Sequence, residues 1–324
     1  MKRIALPLAA LLILAACTTS GATATTALVT TTVARSTTSQ AVTTTTGDPG
    51  FPATVDADNG SVTIEARPQA IISLSAVATE MLFAIGAGPQ VAAVDDQSNY
   101  PTDAPVTDLS GFTPNIEAIL SYQPDLVVIT FDPGDLVASL EAAGIPVLSY
   151  TAAATIDDVY RQIDALGRAT GNEEGAAAVN SGIETGLADV VAGTGGSGEG
   201  VSYYHEIDNT LYTVTSSTFF GEIYGLFGMV NIADAADEDG SAFGYPQLSS
   251  EYIVADDPDI IFLADVLYGE SAETVAERPG WAVMTAVQHG DIVELDSDVA
   301  SRWGPRIVDL ARDIATALET HGAG

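Results

Sequence analysis

The chain has 324 residues, with 44 Asp and Glu against 10 Lys and Arg, and a formal net charge of −34. Such a surface repels nucleic acids and anionic lipid headgroups, which excludes both as favoured partners. The acidic residues are scattered and form no calcium-loop pattern, so we interpret the charge as an adaptation for solubility or a salty habitat.

The first 17 residues, 1–17, have the pattern of an export signal. Lys2 and Arg3 precede an apolar run, residues 4–14, that is too short to span a bilayer as a helix. Small residues then lead to Cys17, the only cysteine in the chain. This arrangement resembles the bacterial lipobox and predicts export, with lipidated Cys17 anchoring the protein to the outer face of the cell membrane. An ordinary secretion signal is the alternative.

Residues 18–50 are expected to form a disordered tether. Within residues 18–46 there are 14 Thr and 3 Ser, and no periodic apolar face. The segment therefore predicts an extended link between the lipid and a folded domain.

Residues 51–152 alternate apolar strands with helical patterns, which is typical of a parallel sheet covered by helices. We predict a first αβ lobe over this range. In chain order its predicted elements are a hairpin over 53–66, a strand over 71–75, a helix over 76–85, strands over 91–94 and 106–109, a helix over 135–143 and a strand over 145–150.

Residues 153–195 contain helical periodicity without strands. Thr155 is a candidate N-cap that precedes two acidic residues, and Gly171 interrupts a pattern that continues to Val191. One or two long helices between two αβ regions predict a stiff connector.

Residues 196–324 begin within a glycine-rich stretch and return to the αβ pattern. They predict a second αβ lobe. Its predicted elements are strands over 201–205 and 211–214, helices over 218–227 and 271–277, a strand over 291–295 and a closing amphipathic helix over 305–318.

One phrase occurs once in each lobe, at residues 117–129 and 251–263. Each copy has a short helix that stops before Pro-Asp and is followed by a buried apolar strand. Glu117 and Glu251 open the two copies, two residues after the candidate N-caps Asn115 and Ser249. The repeat predicts two similar lobes that present a carboxylate at matching places.

Residues 67–320 resemble the substrate-binding proteins of ABC importers. The similarity is to the helical-backbone, class III type that takes cobalamin, ferric siderophores and haem, and is greatest to the cobalamin-binding branch. It implies an α/β fold of two Rossmann-like lobes joined by a long α-helix, with a ligand cleft between the lobes. The segments that carry it are residues 72–86, 98–101, 115–117, 245–251 and 301–306.

The resemblance implies a role for the repeated glutamates. In the family, one glutamate on each lobe pairs with arginines of the ABC permease dimer, which works with an ATPase, and Glu117 and Glu251 fall on those positions. Charge-assisted pairs of this kind set orientation at an interface. For a single glutamate, the alternative is that it merely complements its helix dipole.

The resemblance also implies a ligand set lined by aromatic side chains of both lobes. The ligand is a corrinoid or a ferric siderophore, with haem or another small organic molecule as further alternatives, and the protein has no cofactor of its own. The candidate ligand-binding residues are Tyr245, Asp298, Arg302, Trp303, His205, Phe112 and Phe131. Arg306 is equally consistent with a helix-start residue paired to a surface carboxylate.

Other function classes have weaker support. A bare-metal site is disfavoured because strand alternation separates His205 from Glu206, and the only other histidines are His289 and His321. The G-x-G-x-x-G at residues 193–198 follows a helix, the reverse of the dinucleotide-binding order. We predict a monomeric binding protein without catalytic activity; an exported αβ hydrolase or a ligand sensor on the same fold are the alternatives.

Overall fold

The computed structural model describes residues 48–322. The predicted signal, Cys17 and all but the last residues of the predicted tether lie outside this range. Within residues 48–322, no helix combines the length and apolar character needed to cross a bilayer.

The first lobe is a four-stranded parallel sheet preceded by a hairpin. The sheet order is β4-β3-β5-β6, and every neighbouring pair is parallel. The predicted hairpin is present and pairs in register from Ala53–Ile64 to Ala57–Gly60. The elements are β1 Ala53–Ala57, β2 Gly60–Ile64, β3 Ile71–Leu74, α1 Ala76–Ala84, β4 Val91–Val94, α2 Ile116–Ser121, β5 Leu126–Ile129, α3 Leu136–Ala142 and β6 Val147–Ser149.

Two consecutive helices, α4 (Ile156–Thr170) and α5 (Glu173–Gly193), follow the first sheet. Thr155 starts α4 through a capping box with Asp158, and Gly171 ends it in the left-handed conformation at φ 68°. The 21 residues of α5 extend over about 30 Å. The long helix that joins the two lobes is therefore present, as the resemblance implied.

Glycines allow α5 to lie close to both lobes. A Cβ atom at Gly175 would lie 2.1 Å from the carbonyl oxygen of Ile85, at the end of α1. A Cβ atom at Gly186 would lie 2.9 Å from the side chain of Val308, in the second lobe. Larger residues at either position would push the helix away from the lobe that it contacts.

The second lobe repeats the architecture of the first. Its sheet order is β10-β9-β7-β8, again with all pairs parallel. Its elements are β7 Ser202–Glu206, α6 Phe219–Gly225, β8 Val230–Asn231, α7 Ser250–Asp256, β9 Ile260–Leu263, α8 Ala272–Ala276, α9 Thr285–His289, β10 Ile292–Glu294 and α10 Ile307–His321.

The two four-stranded sheets share one strand order. When the strands of each sheet are numbered along the chain, their order across the sheet is 2-1-3-4. The aspartates of the repeated Pro-Asp phrase have the same role in each lobe. Asp125 accepts from the backbone N–H of Ala70 at 2.9 Å, and Asp259 accepts from the backbone N–H of Ser202 at 2.8 Å. Each carboxylate thus fixes the start of the first strand of its own sheet.

Two predicted strands are wrong. Residues 106–109 form only an isolated bridge at Leu109, and Val106, at the other end, is 99% exposed. Residues 211–214 form single bridges as well. Leu211 has a φ of 69°, outside the β region, and the opposite segment contains Pro246, which has no N–H to donate. The strand β8 and the helix α9 were not predicted.

Candidate functional site

A pocket of about 380 Å³ lies at the carboxyl ends of the second-lobe strands, where α/β proteins bind ligands. Four of the predicted ligand residues, His205, Tyr245, Asp298 and Trp303, line it. The first lobe contributes the loop after β6. The remaining lining residues are Ala152, Ala153, Ile207, Val214, Phe219, Phe220, Ala264, Leu267, Tyr268, Ser297, Ala300 and Ser301.

His205 is the penultimate residue of β7 and is only 1% exposed. Its Nδ1 lies 2.9 Å from the hydroxyl of Tyr224, and its ring stacks on Phe220 with centroids 6.0 Å apart. Burial lowers the pKa of His205 from 6.5 to about 4, so the imidazole is neutral at physiological pH. Its neighbour Glu206 forms a bidentate pair with Arg278, at 2.5 and 2.6 Å, on the other side of the sheet.

Phe112 and Phe131 form an exposed aromatic pair on the first lobe. Their rings stack with centroids 5.4 Å apart, and the two side chains are 60% and 53% exposed. Phe131 follows the end of β5 by two residues. Gly111 places the other ring, because a Cβ atom there would lie 2.7 Å from the carbonyl oxygen of Leu74 at the end of β3. The pair is therefore at the carboxyl edge of the first sheet but does not line the pocket.

The structure places Arg302 differently from the prediction. Arg302 does not line the pocket; its guanidinium donates to Glu80 at 2.8 Å and to Asp298 at 2.7 Å. It also donates to Asn99 at 2.9 Å and to the carbonyl of Gln97 at 3.1 Å. All these partners lie inside the protein, so in this structure Arg302 forms a contact between the lobes, and its predicted ligand contact stays a prediction.

Glu80 has no role predicted from the sequence, yet it is the centre of this contact. It lies in α1, and its side chain is 1% exposed. Its carboxylate accepts from Arg302 and also from Arg306, whose two hydrogen bonds to it are 2.6 and 2.9 Å long. Arg306 therefore pairs with a buried carboxylate, not a surface one, and its guanidinium also lies 4.4 Å from the Tyr100 ring centroid. Glu80 is the only charged residue of α1, and this is the feature of the sequence that could have indicated a buried ion pair.

The cationic side chains of residues 48–322 are almost all neutralised. This range has no lysine. Of its seven arginines, six form ion pairs with carboxylates, and Arg168 is exposed near the end of α4, away from the pocket. Since His205 is neutral, the described part of the pocket wall offers an anion no free positive charge.

Asp265 is buried beside the pocket without a hydrogen-bond donor. Both of its carboxylate oxygens are enclosed and have no partner within residues 48–322. Burial, followed by the nearby charge of Glu206, raises the pKa of Asp265 from 3.8 to about 6. The carboxyl group therefore gains a proton under mildly acidic conditions.

Glu117 and Glu251 have the same local structure. Each lies in the first turn of its helix, α2 or α7, and each is exposed. The predicted N-caps are confirmed: Asn115 and Ser249 accept from the backbone N–H three residues later, at 3.1 and 3.2 Å. Neither glutamate has an ion-pair partner within residues 48–322, so both carboxylates are accessible.

A family model described as periplasmic binding protein matches residues 71–299. The chain belongs to this family. An ABC transporter substrate-binding lipoprotein of Bacillus subtilis, YvrC, is 31% identical over 278 residues, covering 83% of this chain and 86% of the relative. A cobalamin-binding protein of Halobacterium salinarum is 32% identical over 280 residues, covering 83% of this chain and 74% of the relative.

Solved structures agree with the two-lobed fold of this periplasmic binding protein. The vitamin B12 binding protein of Vibrio cholerae superposes with a TM-score of 0.64 at 27% identity, covering 79% of this chain and 98% of that one. A solute-binding protein of Staphylococcus epidermidis gives a TM-score of 0.67 at 24% identity, covering 77% and 98%. In the part of the chain described, no three His, Cys, Asp or Glu side chains are grouped to hold a metal ion.

Proposed function

We propose that this protein is the lipid-anchored substrate-binding protein of an ABC importer and that its ligand is a corrinoid. The observation that carries the choice of ligand is the pocket at His205, Tyr245 and Trp303, which has aromatic and apolar walls and no free cation. Large flat ligands gain affinity from such walls, with a few polar groups fixing their orientation.

Charge separates the candidate ligands. Haem carries carboxylates and ferric siderophore complexes are commonly anionic, so both favour a pocket with free arginine or lysine. The pocket described here contains Asp298 and a neutral His205, and Arg302 is engaged by other residues. A corrin bears mainly neutral amides at its edge, which suit the hydroxyls of Tyr245, Ser297 and Ser301.

The two lobes have complementary parts in this proposal. The pocket encloses the part of the ligand nearest the second lobe. The exposed pair of Phe112 and Phe131 offers an aromatic surface on the first lobe. Relatives whose names record binding of cobalamin or vitamin B12 support the same ligand class.

Delivery follows the organisation proposed from sequence. Cys17 anchors the chain through a tether, residues 18–50, and the monomeric protein docks on a permease dimer driven by an ATPase. Glu117 and Glu251 would supply one docking carboxylate from each lobe. The proposed lobes are residues 51–152 and 196–324, with 153–195 as the connector, and the protein performs no chemistry itself.

Ligand titration tests the proposal. The full chain, purified in mild detergent at high salt, is titrated with cyanocobalamin, haemin and a ferric catecholate siderophore while tryptophan fluorescence is recorded. Trp303 lines the pocket and Trp281 is buried in the second lobe, so quenching by cyanocobalamin is expected to decrease in Trp303→Phe. Calorimetry on the same variant checks that binding persists. Saturable binding of haemin or the siderophore without binding of cyanocobalamin would overturn the choice of ligand.

A further inference from the structure

One loop of the second lobe presents a large aromatic side chain at the mouth of the pocket. Tyr268 lines the pocket and is 83% exposed, whereas the other aromatic residues of the wall are buried or only partly exposed. Its neighbour Leu267 also lines the pocket and is 70% exposed. The ring of Tyr268 therefore carries a large apolar area that a bound ligand can cover.

Backbone hydrogen bonds hold Tyr268 at this place. The residue belongs to a turn that follows β9, residues 265–269, which we call the rim turn. The backbone N–H of Tyr268 donates to the carbonyl oxygen of Asp265 at 2.8 Å, within the turn. The backbone N–H of Leu267 donates to Oγ of Ser297 at 3.1 Å, which fixes the turn to the loop that follows β10. A turn that is already ordered loses little entropy when a ligand covers its side chains.

The first lobe has an exposed aromatic residue in the equivalent loop. The rim turn follows β9, the third strand of the second lobe's four-stranded sheet, and Phe131 follows β5, the third strand of the corresponding sheet in the first lobe. Because both sheets have the strand order 2-1-3-4, the two loops leave the carboxyl edges at corresponding places. Each lobe thus presents an exposed ring from the same loop of the repeated architecture, and in the first lobe that ring is stacked on Phe112.

The size of the pocket gives these exposed rings a use. The pocket has a volume of about 380 Å³, which suits a molecule of ordinary drug size. A corrinoid is much larger than such a molecule, so a large part of it must project beyond the pocket walls. The projecting part passes the rim turn, because Leu267 and Tyr268 form part of the wall at the mouth.

We propose that Tyr268 is a ligand-binding residue whose ring packs against the part of the corrinoid that projects beyond the pocket; this rests on the proposed function. The pair of Phe112 and Phe131 contacts the same part of the ligand from the first lobe. The ring of Tyr268 supplies the contact, and its hydroxyl is not required, because packing uses the apolar face of the side chain.

Chemical modification tests the contact in the wild-type full chain in mild detergent. Tetranitromethane nitrates exposed tyrosine rings, and mass spectrometry of the digested protein measures the extent of nitration at each tyrosine. We expect Tyr268 to be nitrated in the empty protein and to lose this reactivity when cyanocobalamin is saturating. Tyr122, a partly exposed residue at the end of α2 and outside the pocket wall, is the internal control and should react equally in both samples.

Calorimetry on three variants measures the contribution of the ring. Tyr268→Ala should bind cyanocobalamin about tenfold more weakly than the wild type, which is the loss expected for an aromatic packing contact. Tyr268→Phe keeps the ring and should bind as the wild type does. Tyr122→Ala removes a tyrosine outside the pocket wall and should also leave the affinity unchanged.

The outcomes separate the two proposals. Nitration of Tyr268 that is unaffected by bound cyanocobalamin overturns the contact and leaves the corrinoid function standing. Wild-type affinity in Tyr268→Ala does the same, and if uptake by cells is reduced in that variant, the residue serves permease docking instead. An equal loss of affinity in Tyr268→Phe and Tyr268→Ala assigns the effect to the hydroxyl and overturns the ring contact. Failure of the wild type to bind cyanocobalamin overturns both proposals.

Discussion

Glu80 and Arg302 join the two lobes through an ion pair of 2.8 Å whose side chains are 1% and 9% exposed. The glutamate lies in α1 of the first lobe, and the arginine lies just before α10 of the second. Arg306 adds a second contact to the same carboxylate at 2.6 Å. A buried carboxylate between two guanidinium groups therefore holds the lobes together beside the pocket.

Removing Glu80 should destabilise the fold strongly. Glu80→Ala leaves two arginines largely buried without their main partner, and such losses cost about 3–5 kcal/mol of unfolding free energy. Urea denaturation followed by circular dichroism measures this. Asp309→Ala, which breaks an exposed pair with Arg312, is the matched control and should cost less than about 1 kcal/mol. Similar losses in the two variants would contradict a central role for Glu80.

Replacing Glu117 and Glu251 together by alanine should abolish uptake of the ligand by cells and leave its affinity for the purified protein unchanged, because both side chains are exposed and neither lines the pocket. The matched control is Glu273→Ala with Glu141→Ala. Glu273 is also exposed and also lies two residues after a serine N-cap, Ser271. Normal uptake by the Glu117 and Glu251 double variant would rule out their docking role.

His205 should make the protein less stable as the pH falls. Its pKa is about 4 in the folded protein and 6.5 ordinarily, so between these values the unfolded chain binds a proton that the folded protein does not. Stability is therefore lost from pH 6.5 down to pH 4, by about 3 kcal/mol in all. Urea denaturation measures the unfolding free energy at each pH in this range. The unfolding free energy of His205→Asn should change less with pH than that of the wild type. The same pH dependence in both proteins would show that His205 is not the group responsible.

Asp265 should act in the opposite direction. Its pKa is about 6 in the folded protein and 3.8 ordinarily, so between these values the folded protein binds the additional proton. Its contribution to stability is lost as the pH rises from 3.8 to 6. Asp265→Asn removes the charge that faces Glu206 and Glu270, and should stabilise the protein at pH 7.5 but not at pH 4. Thermal unfolding at the two pH values measures this, and equal effects at both would contradict it.

Local features of the fold were predictable because neighbouring residues determine them. Thr155, Asn115 and Ser249 were identified as N-caps from the residues that follow them, and each accepts the hydrogen bond of a cap. The two-residue strand β8 and the five-residue helix α9 were missed, because neither is long enough to display a periodicity.

The candidate site also has a part that could be predicted from the sequence and a part that could not. His205, Tyr245, Asp298 and Trp303, four of the seven predicted ligand residues, line one pocket. Arg302 lies outside this pocket, and its partner Glu80 is 222 residues away in the chain. An arginine beside a cleft looks the same in sequence whether it contacts a ligand or a buried carboxylate, and only the folded structure distinguishes these cases.

We expect the 21 residues of α5 to act as a fixed spacer between the lobes, reinforced by the contact of Glu80 with Arg302. If a permease binds both lobes, the distance between the two docking surfaces is then the same for an occupied and an empty binding protein. The empty form would compete for the permease, and an excess of it would slow import. The transporter would have to recognise its cargo at the mouth of the cleft, because the lobes would not signal occupancy by closing.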